Sequence, residues 1–478
     1  MANFEKSTQV AVLGAGPGGY AAAFMAADLG MKTTLINREP NPGGVCLYRG
    51  CIPSKAFLHA AKVIHESQEA AAFGIKFPPP EIDFALLRKW KQGVVDRLTG
   101  GLASIAKQRK VDYIYGQGKL LDSHRLAVKL NNGEEGVIKF EHLIIASGSR
   151  PILPPIFNIN SERVMDSTAA LELADVPRRL LVIGGGYIGL ELGTVYSSLG
   201  TEVTVVEMTA GLLPGADRDL VKVLQGKLER RLHKILMNTK VLELKEIEDG
   251  IRVSMQPPQG DAIHDTFDRV LVSIGRRPNS EELGLENTKV ERDPRGFIKI
   301  DAQSRTTEPN IFAIGDVSGE PMLAHRASHQ GRLAAEVIHG SKAVFEPIAI
   351  PAVVFTDPEL AWVGLTEVQA KDQGLKFEVA RFPWGASGRA ITIDSMEGLT
   401  KLIIDSEDGR LLGMGVVGSG AGELIAEGTL ALEMGASAED LSLTIHAHPT
   451  LSETVMETAD VFFGKSTHIF KPKREVKA

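Results

Sequence analysis

Two residues that could carry redox chemistry stand close together near the start of the chain. Cys46 and Cys51, five positions apart, are the only cysteines in 478 residues. A reducing compartment keeps ordinary thiols reduced, so the pair is either two small buried hydrophobes or a catalytic disulfide. Pro53 suits a first helical turn, and the composition from Lys55 to about Ser67 is helix-like. We therefore expect Cys51 at a helix N-terminus, where the dipole favours thiolate, and Cys46 one loop earlier.

A glycine-rich turn precedes the cysteine pair. An apolar run at 10–13 leads into this turn at 14–19, which is followed by a helix-like segment and a second apolar run at 33–36. The order strand, turn, helix, strand is a dinucleotide-binding fingerprint. Gly14 allows the tight turn, Gly16 lets a pyrophosphate approach the backbone, and Gly19 lets helix and strand pack closely.

The same unit recurs later in the chain. A second glycine-rich turn at 184–189 follows an apolar run and leads to a strand that ends at Glu207. From Gly14 to Asn37 is 23 positions, and from Gly184 to Glu207 is also 23. One such match is weak evidence, but two in the same context predict two dinucleotide sites. The phosphate-facing glycines of the second turn are Gly184, Gly186 and Gly189.

The residue that ends the second strand of each unit bears on cofactor choice. A carboxylate there accepts hydrogen bonds from a ribose 2′-OH and repels a 2′-phosphate. Glu207, with no arginine directly after it, therefore favours NAD over NADP, unless it is an ordinary strand-end glutamate. Asn37 carries no charge, so a weaker ribose contact is expected in the first unit, which Glu39 could compensate.

Bulk properties narrow the class of protein. The length exceeds one compact core, and the net charge of −7 argues against a general nucleic-acid binder. No apolar run reaches the roughly 18–20 residues of a membrane helix. Residues 1–9 have no apolar or Arg-rich targeting pattern, so a cytoplasmic protein is expected, and 471–478 read as a solvated basic tail.

Later strands complete the predicted architecture. Apolar runs at 143–146, 270–274 and 311–314 each end in a turn of small or polar residues. From Pro351 onward, short alternating strands with helices between them indicate a separate α+β domain. The predicted fold class is α/β, with two Rossmann-like dinucleotide-binding domains and a C-terminal α+β domain.

These motifs occur in a specific order along the chain. They are the turn at 14–19, Cys46 and Cys51 with Pro53, Ser54 and Lys55, the turn at 184–189, the segment 312–316 and the segment 446–453. Together they resemble the pyridine nucleotide–disulfide oxidoreductase family over essentially the whole chain. The resemblance implies an FAD-binding domain (1–151), an NAD-binding domain (152–278), a central domain completing the FAD site (279–350) and a dimerisation domain (351–478).

The resemblance also implies an activity. Protein-bound dihydrolipoyl groups would be oxidised to lipoyl groups and NAD reduced to NADH, through FAD and a Cys46–Cys51 disulfide. Cys46 would exchange with the dithiol, and Cys51 would lie against the flavin in a charge-transfer contact. His448 with Glu453, supplied by the other subunit of a homodimer, would be the acid–base pair. The implied partners are lipoyl domains and the acyltransferase core of 2-oxo acid dehydrogenase complexes, with no nucleic acid and no membrane.

Further residues are placed around the cofactors by the same resemblance. Asp316 would meet a ribityl hydroxyl of FAD, Lys55 and Glu191 would form a buried pair near the flavin, and the backbone at Ala324 would meet the flavin ring. A helix N-cap is the alternative for Asp316, and surface positions are the alternative for the pair. The other implied cofactor-site residues are Gly44, Gly118, Ser147, Gly148, Val241 and Gly275.

Some alternatives stay open. His448 could be a turn histidine, or pair with His446 on a metal, although no third ligand is nearby and no metal site is expected. Tyr48-Arg49 stands where the family more often has Asn-Val, and Arg49 could lower a thiol pKa or alter substrate access. The alternative functions are another NAD(P)H-dependent flavin disulfide reductase or a mainly structural flavoprotein subunit. Glutathione-type reductases should carry an NADP-selecting arginine near Glu207.

Overall fold

The computed structural model describes residues 4–470 and begins with the first predicted β-α-β unit. The basic tail predicted at 471–478 lies outside the described residues. The first region contains β1 (Phe4–Leu13), α1 (Pro17–Asp28), β2 (Thr33–Asn37), α2 (Gly44–Arg49), α3 (Cys51–Glu69), α4 (Phe84–Gln108), β3 (Asp112–Asp122), β4 (Arg125–Leu130), β5 (Glu135–Ile145) and β6 (Ser149–Pro151).

In the first sheet, β2 and the ends of β1 and β5 are buried without alternation, whereas β3 and β4 alternate between buried and exposed residues. β1 pairs in parallel with β2 and β5, β2 pairs in parallel with β3, and β4 joins β3 to β5 in antiparallel fashion. Val10 and Val12 enter one core while Ala11 and Leu13 enter the other. Both faces of the sheet are thus covered, as is usual for parallel strands in α/β proteins.

The second region repeats the β-α-β unit and adds a small antiparallel sheet. Its five parallel strands have the order β10-β9-β8-β14-β7, and β11, β12 and β13 form the antiparallel sheet. Its elements are β7 (Val164–Met165), α5 (Ser167–Glu172), β8 (Arg179–Ile183), α6 (Tyr187–Ser198), β9 (Glu202–Val206), α7 (Arg218–Arg231), β10 (Lys234–Leu236), β11 (Lys240–Ile247), β12 (Gly250–Gln256), β13 (Ile263–Phe267), β14 (Arg269–Val272) and β15 (Arg276–Pro278).

After the second region the chain returns to the first sheet. β16 (Ile311–Ala313) pairs in parallel with β5, and α8 (Ala324–Ile338) then packs along α1. A Cβ at Gly331 would lie 2.3 Å from the Gly18 carbonyl oxygen, so glycine is needed for this close helix contact. The return brings residues beyond 310 to the edge of the sheet where the first glycine-rich turn lies.

The last region is a five-stranded antiparallel sheet with helices, as predicted from its alternating strands. The strand order is β17-β18-β21-β20-β19, and α11 packs against β18 and β21. Its elements are β17 (Ala352–Val354), β18 (Glu359–Gly364), α9 (Glu367–Asp372), β19 (Phe377–Pro383), α10 (Gly388–Thr392), β20 (Leu399–Asp405), β21 (Leu411–Gly418), α11 (Ala421–Glu433), α12 (Ala438–Leu443) and α13 (Glu453–Phe463).

A buried lysine joins the second and last regions. The Lys401 side chain is 1% exposed, and its Nζ lies 2.9 Å from Asp217 Oδ2 and 3.0 Å from Asp219 Oδ1, with Glu367 as a third partner. Removing one partner of such a buried ionic group is strongly destabilising. The cluster therefore fixes α7 against β20.

Two sequence predictions need correction at this level. Cys46 lies in the short helix α2 rather than in a loop, and the runs ending at Ile274 and Ile314 continue past the strands, which end at Val272 and Ala313. A six-residue helix has little stability of its own and forms here through tertiary contacts, which local composition does not reveal. Within residues 4–470, no helix combines the length and apolar character needed to cross a membrane.

Candidate active site

A long groove runs across the carboxyl edge of the first sheet and reaches the second region. Its volume is about 940 Å³, at the upper end of the range for small-molecule sites. The N-terminal ends of α1, α3 and α8 all contribute to its wall. The predicted residues that line it are Gly14, Gly16, Gly19, Asn37, Gly44, Cys46, Cys51, Lys55, Gly118, Ser147, Gly148, Glu191, Asp316 and Ala324.

The glycines let backbone segments approach more closely than any side chain would allow. Gly14 has φ +103°, and a Cβ there would lie 2.3 Å from the Ala146 carbonyl oxygen. A Cβ at Gly19 would lie 1.8 Å from the Gly14 oxygen, and one at Gly44 would lie 2.4 Å from Gly16 Cα. This close packing forms the tight turn at the start of α1, and the helix N-terminus lines the groove, as the pyrophosphate of FAD would require.

The two cysteines meet on the wall of this groove. Cys51 is the first residue of α3, as predicted, and the free thiol of Cys46 lies beside it on the wall. Hydrogen bonding from the neighbouring Cys46 thiol lowers the pKa of Cys51 to about 7; burial and Glu191 oppose this shift, and Lys55 supports it. The pKa of Cys46 is raised, first by the same bond and then by burial. These two directions favour a thiolate at Cys51 over one at Cys46.

Behind the cysteines lies the pair predicted from Lys55 and Glu191. Lys55 Nζ is 2.7 Å from Glu191 Oε2, and Ser54 Oγ donates to the same oxygen at 3.0 Å. The other oxygen, Oε1, accepts the backbone N–H of Phe355 at 3.0 Å. The Glu191 carboxylate is almost fully buried but well bonded, which is the condition for holding such a charge.

Asp316 is held in the groove by residues that sequence reasoning missed. It lies inside a 3₁₀ turn, Gly315–Val317, and is not the N-cap of that turn. Ser149 Oγ donates to Asp316 Oδ2 at 2.5 Å and itself receives a bond from Arg276 Nε at 2.8 Å. Because these segments are far apart in the chain, no local pattern in the sequence indicated that they meet.

The glycines of the second turn do not line this groove. Gly184 has φ +109°, and a Cβ there would lie 2.6 Å from the Ser273 carbonyl oxygen. Glu207 Oε2 accepts the Gly185 N–H at 2.7 Å, so the carboxylate lies over the turn where a ribose is expected. Of the other predicted residues, Gly275 has φ +132° after β14, and Val241 is buried in β11. Because its side chain is buried in the core, Val241 could meet a cofactor only through its backbone.

His448 and Glu453 form the predicted pair, but away from the groove. His448 Nδ1 is 2.9 Å from Glu453 Oε1, and the His448 side chain is 74% exposed. Burial alone would raise the pKa of Glu453, but the Thr450 amide and His448 hold it below its usual value. His446 instead bonds Glu427 at 2.7 Å, which contradicts a metal pair with His448.

Arg49 belongs to Tyr48-Arg49, one of the two departures from the family pattern; the other is Asn37. The Arg49 side chain does not pair with the sulfurs. Its guanidinium forms an ion pair with Glu39. The charged groups that act on the two thiol pKa values are the cysteines themselves, Lys55 and Glu191. Arg49 therefore belongs to the cofactor end of the groove rather than to the thiol chemistry.

Tyr187 also lines the groove and was not identified from the sequence. It is the first residue of α6, directly after the second glycine turn. Tyr187 is 39% exposed, but desolvation against the groove wall raises its pKa to about 12, with Asp316 and Cys51 adding to the shift and Arg276 opposing it. The Tyr187 hydroxyl therefore stays protonated at the junction of the two regions.

Comparison with known proteins defines the class of this chain. Residues 8–331 match the model of the pyridine nucleotide-disulphide oxidoreductase family, and residues 350–459 match the dimerisation domain of that family. The chain belongs to this family. The match agrees with the predicted α/β architecture and with a sulfur pair beside a dinucleotide groove.

Close relatives define the type of enzyme. The dihydrolipoyl dehydrogenase of Vibrio parahaemolyticus serotype O3:K6 is 50% identical over 97% of this chain and 98% of its own length. That of Haemophilus influenzae is 50% identical over 99% of this chain and 98% of its own length. The crystal structure of LpdA from Mycobacterium tuberculosis superimposes with a TM-score of 0.88 at 26% identity, covering 95% of this chain and 99% of that one. The chain is an oxidoreductase of this type and uses FAD and NAD.

Proposed function

We propose that the protein oxidises protein-bound dihydrolipoyl groups to lipoyl groups and reduces NAD to NADH. The observation that carries this proposal is the contact between Cys46 and Cys51 on the wall of the FAD groove. The 44–50% identity to curated dihydrolipoyl dehydrogenases supports it over nearly the whole chain. Bound FAD supplies a two-electron carrier between the sulfur pair and the nicotinamide.

The two cysteines divide the thiol chemistry. In the oxidised enzyme a substrate thiolate attacks the disulfide at Cys46, forming a mixed disulfide and releasing Cys51 as a thiolate. The second substrate thiol then attacks the substrate sulfur of this mixed disulfide, giving a lipoyl disulfide and leaving Cys46 reduced. Two electrons have entered the pair and leave it again as NAD becomes NADH. The lowered pKa of Cys51 suits its role as leaving group and charged sulfur.

His448 is the proposed acid–base group for these steps. Glu453 fixes one ring nitrogen, which leaves the other free to take a proton from a substrate thiol. Because His448 is exposed and does not line the groove of its own chain, we infer that it serves the groove of a partner subunit. Ile445, three residues earlier, is 96% exposed, as expected of a surface that another subunit covers.

The partners follow from the same reasoning. The match of residues 350–459 to a dimerisation domain supports a homodimer. Lipoyl domains and the acyltransferase core of a 2-oxo acid dehydrogenase complex are the proposed larger partners. A cytoplasmic location is proposed as well. Disulfides in the cytosol are mostly transient and catalytic, which is the role proposed for the Cys46–Cys51 pair.

The role of the contact between Cys46 and Cys51 can be tested with the variants Cys46→Ser and Cys51→Ser. Each variant is expected to retain bound FAD and to lose lipoamide turnover, because neither can form the internal disulfide. Turnover is measured with dihydrolipoamide and NAD, beside the flavin absorbance of each protein. Turnover that survives in either serine variant would refute the proposal. NADPH-dependent reduction of glutathione disulfide by the parent, in place of lipoamide, would favour a different disulfide reductase.

A further inference from the structure

We propose that Glu39, held in place by Arg49, is the acidic residue that binds the adenosine ribose of the FAD, a role that Asn37 does not fill. The starting point is a difference between two equivalent positions. Asn37 ends β2 and Glu207 directly follows β9, and each accepts an amide of its glycine turn. The bond is 2.7 Å for Gly185 to Glu207, but 3.4 Å for Ala15 to Asn37.

Asn37 is poorly suited to hold a ribose. Its side-chain oxygen takes the Ala15 amide, and its Nδ2 donates to the Tyr113 hydroxyl at 3.4 Å. Its amide is neutral, whereas hydrogen bonds to a carboxylate are roughly twice as strong. The acid usually required at this end of a dinucleotide site must therefore come from another residue.

Glu39 lies two residues further on and lines the same groove as Asn37. Its Oε1 forms the ion pair with Arg49, which leaves its other carboxylate oxygen available to a ligand. The Arg49 charge also offsets the repulsion that a lone carboxylate would exert on the two phosphates of FAD. Both side chains are partly buried, with 24% of Glu39 and 33% of Arg49 exposed.

The backbone around Glu39 is fastened from two sides. The Tyr113 hydroxyl donates to the Glu39 carbonyl oxygen at 2.8 Å. The Tyr48 hydroxyl bonds both the N–H and the C=O of Asn41 at 3.2 Å. Tyr48 and Arg49, which replace the common Asn-Val of the family, thus both fasten α2 to the segment that carries Glu39. This fixation distinguishes the pair from a loose surface ion pair, which contributes little.

Other acids at the rim of the groove are less well placed. Glu281 and Glu282 also line it, but Glu281 is paired with Arg150. Both lie in the segment after β15, not next to the strand end that faces the first glycine turn. Glu282 nevertheless provides a direct competitor for the experiment.

The test measures the retention of FAD by the purified holoenzyme. The dissociation constant is obtained by dilution and by the fluorescence of released flavin. Glu39→Gln should weaken FAD binding by about 10-fold to 100-fold, the range for one charge-assisted hydrogen bond. Adding Asn37→Glu, which copies Glu207 at the equivalent position, should restore binding to within about 3-fold of the parent.

Matched variants separate this role from a structural one. Arg49→Met should weaken binding less than Glu39→Gln, and Arg49→Lys should stay close to the parent. Asp28→Asn removes the partner of Arg109 in an exposed ion pair of the same region and should leave retention unchanged. If Glu39→Gln does not fold, Glu39→Asp, which keeps the charge but shortens the reach, is measured in its place.

The proposal is overturned if folded Glu39→Gln retains FAD as the parent does, or if Asn37→Glu fails to rescue it. Loss of FAD from Glu282→Gln, with retention in Glu39→Gln, would assign the ribose to Glu282 instead. The readout is cofactor retention, so it does not depend on whether lipoamide is the substrate. Failure here and failure of the proposed function are therefore distinguishable.

Discussion

The two glycine-turn units of this chain share a backbone but differ in what surrounds them. Gly14 and Gly184 have φ values of +103° and +109°, and each turn lies against the strand that closes its site. The first unit is followed at once by the cysteine-bearing helices, and α8 returns to cover α1. The second is followed by a helix that carries ion pairs to the last region. The repeated unit sets where a dinucleotide binds, and the segments added to it set the chemistry.

The two units also differ in the residue that stands at the end of their second strand. Glu207 accepts an amide of its glycine turn at 2.7 Å, whereas the bond to the neutral Asn37 is 3.4 Å long and the nearest acid of the first unit is Glu39. We expect one unit to bind its ribose through a single residue, Glu207, and the other through Glu39 held in place by Arg49. The following predictions test whether the units are as separable as this comparison implies.

The largest contrast is expected between Gly14→Val and Gly184→Val. Both force a side chain into a positive-φ position and onto a carbonyl oxygen, at 2.3 Å and 2.6 Å for the Cβ. Gly14→Val should yield protein without flavin and without turnover. Gly184→Val should keep its flavin absorbance and accept electrons from dihydrolipoamide, while NADH formation falls by about 100-fold or more. Flavin loss from both variants would show that the units do not act separately.

His448→Gln tests only the step in which electrons pass from the dithiol substrate to the cysteine pair. Loss of a general acid–base group should slow lipoamide turnover by about 100-fold or more. Reduction of an artificial acceptor by NADH bypasses the thiols and should be affected far less. His446→Gln is the matched control, since His446 is bound to Glu427 and lies two residues away. Equal losses in both variants would indicate a structural effect of the segment rather than proton transfer by His448.

Glu207→Ala tests the step in which electrons leave the enzyme for NAD. The variant removes a carboxylate expected to bind the ribose of NAD, so the KM for NAD should rise on the order of 10-fold. The KM for dihydrolipoamide should stay near that of the parent, and Asn37→Ala should leave the KM for NAD unchanged. Steady-state kinetics with each substrate varied in turn would check both. A rise in both KM values would contradict a site confined to the second unit.

Lys55→Met should give the smallest effect. We expect it to change the pH dependence of the long-wavelength absorbance that the Cys51 thiolate produces. The Cys46 bond and Lys55 both lower the pKa of Cys51, which is about 7, so the thiolate is lost as the pH falls through that value. Without Lys55 the pKa of Cys51 should rise, because a positive charge that stabilises the thiolate is removed. The long-wavelength absorbance of the dithiol-treated enzyme would then appear only at higher pH. Lys62→Met, an exposed lysine on α3, is the control, and a matching shift there would remove Lys55 as the cause.

The sequence indicated the repeated units because their apolar runs and glycines obey local rules. It also predicted the separate α+β region and the position of Cys51 at a helix N-terminus, both of which the structure has. β1 was predicted only at its buried end, since residues 4–9 are mostly exposed and gave no apolar run, although they pair with β5. Ser149 and Asp316, which meet across 167 positions, gave no sign of their contact because side-chain bonds between distant segments have no local pattern. The burial of Lys401 was equally hidden, for its three partners come from two other elements.

The position of the Glu191 carboxylate bears on the order in which the redox centre forms while the chain is synthesised. Glu191 receives Lys55 from the first region, stands itself on α6, and accepts the backbone of Phe355 from the last region. Domains generally fold in order as the chain leaves the ribosome. The cysteine-bearing helix can therefore form early, but the buried charge behind it obtains its full set of donors only when the nascent chain has extended past residue 355. The last region is thus a condition for a finished redox centre, and a prematurely terminated chain would lack it.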